Sequence, residues 1–407
     1  MTLWMWSYDV EMKRLRNISA LFAVLTVFSC TDRAYTGVVE GEYDDAADAA
    51  PVPVLVSVGD VSPSKGSGAM DAEDGQKFSD TYMYVYAFNR TKEATFSAIS
   101  SSDAASCLID ATTDGSRSNA GRRAYLDAEE SFLIWPDASG ESYYPSGTDA
   151  YDFYAYFTDD YVPSYVRRYD DRIVMPVEID GARDIMSGRA VYDASSVDPA
   201  LTETEKALIG QRAFSAYCAR RGVNPVLHFR HHLARLRFEI YPATDDAYTV
   251  YVNSIKVSSR HSGSFTAVAR NAEDEGIDFS ASSYSMLELS EADGSPLRQM
   301  TYHPKQDADF NAAVYERPAV QVGGSLLVAP DSSYEALIEI FEDKGQGYSG
   351  ASELHISSAS GFLPGQQYVV RIAVYGMMKT EIRVQAEPWG TGGRIILDNE
   401  DKYTPAT

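Results

Sequence analysis

Cys30 ends the run Leu25-Thr26-Val27-Phe28-Ser29-Cys30, and its thiol is the side chain whose neighbours define a covalent chemistry most clearly. Lys13, Arg14 and Arg16 precede an apolar stretch from Ile18 to Phe28, and the small Ser29 stands at the cut. A charged region, a short apolar region and a small residue, in that order, make a secretory signal peptide, too short to persist as a membrane-spanning helix. A cysteine at the cleavage point resembles a bacterial lipobox, where the thiol is diacylated and its amine becomes the new N-terminus. The plainer alternative is an ordinary signal peptide with an incidental cysteine. On the lipobox reading Met12 is the working start, residues 1–29 are removed, and everything from Cys30 onward is exported. Lipid on Cys30 then anchors the chain to the outer membrane.

Other chemistry is sparse. His228, His231 and His232 are the only clustered histidines. On a strand His228 and His232 face one way and His231 the other, so the three do not converge on a metal without a bulge. Cys107 and Cys218 form the only pair left after lipidation. An exported pair can bridge, but sequence does not set the geometry, and no CxxC spacing marks a metal site. No Gly-x-Ser-x-Gly elbow, HExxH run or GxxxxGK[ST] loop is present. Carboxylates are so numerous that paired acids carry no glycosidase signal. Tyr143, Tyr144, Tyr151, Tyr154 and Tyr156 have the faces a sugar-stacking platform needs, although strand packing accounts for the same tyrosines. The expectation is a non-enzymatic protein without cofactor or metal.

Charge narrows the partners. With 35 basic and 59 acidic residues among 407, the formal net charge is −24. That balance argues against nucleic acid and anionic membrane surfaces, which need Lys and Arg. The length permits two domains, and 44% hydrophobic residues can fill real cores.

The elements that would position these residues read as strands. Residues 30–51 form an acidic tether (Glu40, Glu42, Asp44, Asp45, Asp48) without periodicity. Val52, Val54, Val56 and Val58 then share one strand face. Tyr82–Phe88, Ser131–Trp135, Tyr151–Phe157 and Ile173–Ile179 are further strands bounded by turn residues. Thr202-Glu203-Thr204-Glu205 reads as a capping box opening a helix whose apolar stripe (Leu208, Ala213, Phe214, Tyr217, Cys218) reaches Arg220 and Arg221, with Gly222 after it. The second half is again strand-like: Leu236, Phe238 and Ile240 alternate with charged residues, followed by Val250–Val257, Leu326–Val328, Tyr334–Phe341, Tyr368–Tyr375 and Glu381–Ala386. The pattern predicts an all-β protein of two β-sandwich domains in tandem, 52–222 and 223–407, with a helical insertion near 202–221.

Several segments in this order resemble a known family. They are Lys65-Gly66 before Tyr84-Val85-Tyr86-Ala87-Phe88, then Trp135-Pro136, Tyr143-Tyr144-Pro145, Tyr151–Tyr156 and Asp184-Ile185-Met186. Phe229 with His232-Leu233-Ala234-Arg235-Leu236-Arg237-Phe238 is the most distinctive, and Leu363–Tyr368 and Glu387-Pro388-Trp389 close the series. Together, behind a lipobox, they resemble the fimbrillins, the lipoprotein pilins and Mfa-like proteins of Bacteroides- and Porphyromonas-type bacteria. The resemblance implies two transthyretin-like sandwiches, a cell-surface location, and assembly into type V pili supporting adhesion. It implies that a protease cuts after the first strand and that the last strand of another pilin subunit fills the groove left behind. Strand addition of that kind is β-augmentation, and head-to-tail contacts that do not close give filaments. Mapped here, the cut follows Lys65, because no arginine lies between Arg33 and Arg90. The donor strand maps to Ile395, Ile396 and Leu397, behind Gly392 and Gly393. The alternative is a lipid-anchored module that binds a host protein or glycan and never polymerises.

Overall fold

The computed structural model describes residues 51–59, 82–90, 92, 95–99, 106–110, 120–126, 132–136, 140–145, 149–159, 161–343, 348–375 and 380–388. The described residues from 51 to 388 fall in one compact unit.

Strands dominate, and the expected alternation explains where they go. The largest sheet runs β2 (Ser57–Val58), β12 (Val226–His231), β11 (Met186–Ala190), β8 (Tyr151–Phe157), β3 (Met83–Asn89), β5 (Arg122–Leu126) and β6 (Leu133–Ile134), with β4 (Cys107–Ile109) also on β3. A four-stranded sheet of β16 (Gly276–Asp278), β15 (Ser262–Ala269), β10 (Arg172–Glu178) and β9 (Arg167–Arg168) covers one face of it. Two further four-stranded sheets make the second stack. One is ordered β18 (Val320–Val328), β13 (Ala234–Pro242), β21 (Gln366–Val374), β22 (Thr380–Pro388). The other is ordered β17 (Tyr284–Glu288), β14 (Val250–Arg260), β19 (Ser333–Glu342), β20 (Tyr348–Ser357). A two-stranded ribbon joins β1 (Val52–Pro53) to β7 (Tyr143–Tyr144).

β3 and β8 are buried almost end to end because both of their faces are covered. Tyr86, Phe88, Tyr154 and Tyr156 point into a core shared with Ile173, Met175 and Phe265. Met83, Val85, Phe153 and Phe157 point into another, shared with Val52, Val54, Val56 and Phe214. The first core continues without a break into the second stack, through Leu236, Phe238, Val257 and Ile338. Two pairings tie the sequence halves together. β10 pairs antiparallel with β15 over its whole length, and β12, which follows Gly222, belongs to the sheet of β3 and β8.

The helical insertion differs from the single helix expected. Thr202 caps α1 (Glu203–Gln211) through the predicted box with Glu205, but the chain breaks at Phe214, whose φ is 60°. Ser215 then caps a separate turn, α2 (Ala216–Ala219). The cause is packing: the left-handed backbone turns the Phe214 ring inward, 6.0 Å from that of Phe153 and nearly perpendicular to it. A straight helix would carry that ring elsewhere.

Candidate functional site

Two places gather the residues that sequence reasoning singled out. The first is the seat of the opening segment, 52–59. It was expected as one strand, yet it bends between two partners. Val52 and Pro53 pair antiparallel with Tyr144 and Tyr143, whereas Ser57 and Val58 pair parallel with Val226 and Leu227. Main-chain bonds bind it along its length: Val54 N–H to Ser142 O at 2.8 Å, Leu133 N–H to Val56 O at 2.7 Å, Ser57 N–H to Pro225 O at 3.0 Å and Gly59 N–H to Leu227 O at 2.8 Å. Between these bonds Val52, Val54 and Val56 enter the core beside Leu133, Tyr144 and Phe214, while Val58 only packs against its border. The segment is thus held by backbone bonds that fix its register, with alternate side chains entering the core. α2 closes the cleft over β1.

Of the five tyrosines expected as a stacking platform, only Tyr143 exposes its ring. Tyr144 and Tyr151 lie in the core of the first segment, and Tyr154 and Tyr156 lie in the opposite core. Alternation along β8 sends Tyr151 to one face and Tyr154 and Tyr156 to the other, so the five cannot present a common surface. Burial pushes the Tyr151 and Tyr154 phenols up to about 12. Tyr156 satisfies its hydroxyl on Ala120 O at 2.7 Å, whereas the buried Tyr144 hydroxyl has no partner among the described residues. Cys30, Lys65, Ile395, Ile396 and Leu397 lie outside the described residues. No disulfide joins Cys107 to Cys218; both thiols are buried, in separate clusters.

The second place is the seam where the end of β12 meets β11 and the loop before β16. The histidines diverge there, as alternation requires. His231 Nδ1–H donates to Asp184 Oδ2 at 2.6 Å, and Asp184 is wholly buried. His232, in the bend after β12, bonds Ser187 Oγ through Nε2 at 2.8 Å. Ser187 in turn donates to Glu275 Oε2 at 2.9 Å, and Arg189 and Arg230 complete the ring around that carboxylate. Burial, with help from Arg230, lowers the His232 pKa to about 3. A serine hydroxyl has one proton, and Glu275 receives it, so Nε2–H of His232 must be the donor to Ser187. Proton flow therefore runs opposite to that of a nucleophile activated by a base. Asp184 was visible in the sequence as part of a motif; Ser187 and Glu275 were not, because residues 88 apart in sequence carry no spacing signal. Among the described residues no group of His, Cys, Asp and Glu is placed to hold a metal, and no helix is long and apolar enough to cross a membrane.

No family profile matches this sequence, and no curated protein sequence matches it. Solved structures similar to the chain include a candidate cell adhesion protein from Bacteroides uniformis, at 13% identity and a TM-score of 0.41, covering 86% of this chain and 100% of that one. A candidate cell adhesion protein from Bacteroides ovatus overlaps at 12% identity and a TM-score of 0.42, covering 84% of this chain and 99% of that one. The fimbrial anchor protein Mfa2 from Porphyromonas gingivalis overlaps at 11% identity and a TM-score of 0.32, covering 84% and 98%. Likeness at this level fixes no function.

Proposed function

We propose that this chain is a non-enzymatic, cell-surface structural or accessory subunit of a fimbrium, lipid-anchored through Cys30 and joined to other subunits by strand exchange at the seat of residues 52–59. The observation that carries the reading is the seat itself. An N-terminal segment whose valines alternate into a core, and whose bonds to the body are largely main-chain, is replaceable by any strand with the same alternation. The sequence resemblance to fimbrillins supports the same role, and Lys65 is the cut that would release the segment. Ile395, Ile396 and Leu397 are the donor residues on this reading.

The test is the N-terminus and sedimentation size of the protein purified from its own envelope. Loss of everything through Lys65, with SDS-resistant oligomers, supports exchange. A monomer still beginning at a lipidated Cys30 overturns it and leaves an anchored binding module.

A further inference from the structure

The seam network does more than tie the two sheets of the first stack together. His232 is 6% exposed, and its Nε2 proton is committed to Ser187. Its other ring nitrogen, Nδ1, is then a bare lone-pair acceptor, and among the described residues nothing donates to it. His232 is one of the residues lining a half-open cavity of about 680 Å³, within the range of small-molecule sites. A Cβ placed on Gly276, another lining residue, would stand 3.9 Å from Nδ1, which sets that nitrogen beside the backbone of the lining.

We infer that this cavity is a binding site for a neutral saccharide unit, with His232 Nδ1 accepting from one of its hydroxyls. Three features choose that chemistry. An acceptor on the floor requires a donor from the ligand, which excludes aliphatic and purely anionic groups. Phe279 and Ile277 give apolar surface for the C–H face of a pyranose, and Arg230, whose side chain is 45% exposed, stands at the polar rim. Arg230 and Glu275 of the lining are paired with each other, which leaves neutral sugars rather than acidic ones as the better fit. An extended peptide fits less well, because two lining positions are Pro330 and Pro364, which have no N–H with which to build a ladder. The site is independent of strand exchange: it needs no partner subunit and no cleavage.

The experiment uses the full chain. An array of neutral and sialylated glycans first identifies probes. The best neutral oligosaccharide is then titrated into protein carrying ¹⁵N-labelled histidine, with the His232 resonance assigned by its loss in His232→Phe. Saturable movement of the Nδ1 signal from a free to a hydrogen-bonded acceptor is expected. His232→Phe should weaken binding about tenfold, as the loss of one buried hydrogen bond would. Because that variant also leaves Ser187 without its donor, Phe279→Ala serves as the second. It keeps the Ser187–His232–Glu275 bonds, should lower the thermal midpoint by the loss of a partly buried ring packed against the core, and should weaken the same glycan by a similar factor in protein still folded at the assay temperature. The inference falls if no neutral glycan binds, if binding leaves Nδ1 unmoved, if both variants bind as the parent does, or if an extended peptide rather than a sugar shifts Nδ1.

Discussion

His232 is held neutral by burial, with a pKa near 3, while an unfolded histidine titrates near 6.5. Between those values the unfolded chain binds a proton that the folded chain does not, so stability falls as pH drops below about 6.5, by roughly 1.4 kcal/mol per pH unit. Arg230 and His231 reinforce the depression, and Asp184 opposes it. Urea midpoints measured from pH 7 to pH 5 should fall, and the fall should be shallower in His232→Phe. A second contrast separates two tyrosines of similar burial. Tyr156→Phe removes a satisfied hydroxyl and should cost about 1 kcal/mol, whereas Tyr144→Phe removes an unpartnered one and should be neutral or stabilising. Equal losses in urea titrations would contradict that assignment. At this scale the sequence was legible only where alternation speaks. It separated His231 from His232, but could not reveal that Glu275 would arrive from another strand pair to receive the Ser187 proton.

The opening segment is the element on which the proposed role depends, and its hold should be measurable locally. Val56 is 1% exposed, and beyond it Ser57 donates to Pro225, just before β12, and Gly59 to Leu227 within it. Val56→Ser puts a hydroxyl into an apolar pocket, with an expected cost of about 1–3 kcal/mol. Hydrogen exchange should then accelerate at the Ser57 and Gly59 amides while the amides of β3 and β8 stay protected. Uniform acceleration would mean that the segment unfolds only with the whole. Several elements were readable before the structure. Tyr151–Phe157 and the Thr202 capping box fall where pattern and cap placed them, because each is decided by neighbours close in sequence. Other strands were not. β20 carries Ser349, Gly350, Ser352 and Ser357 and has little strand propensity of its own; it forms because all ten of its residues pair with β19. The break at Phe214 was equally hidden, since a tertiary contact overrode a sound helical stripe.

Taken whole, the described residues from 51 to 388 form one body whose two stacks share a core, and β10 and β15 pair in a sheet made from both halves of the sequence. Calorimetry should therefore show one cooperative transition, with calorimetric and van't Hoff enthalpies in agreement. Two resolved transitions would show that the halves melt independently despite the shared sheet. For the same reason a fragment beginning at Val223 would carry β15 without β10 and leave Phe265 and Ala267 uncovered, so it should fail to fold alone.

The way the opening segment is seated also sets its response to force. Its main-chain bonds reach sideways, to Ser142 and Leu133 near one end and to Pro225 and Leu227 near the other. Tension arriving from the N-terminal side of Pro51 runs along the strand and across those bonds. Where the pull lies along the segment, those bonds are loaded together, in shear, and give way as a group rather than peel one after another. A pull from upstream would thus load this segment before the sheets behind it.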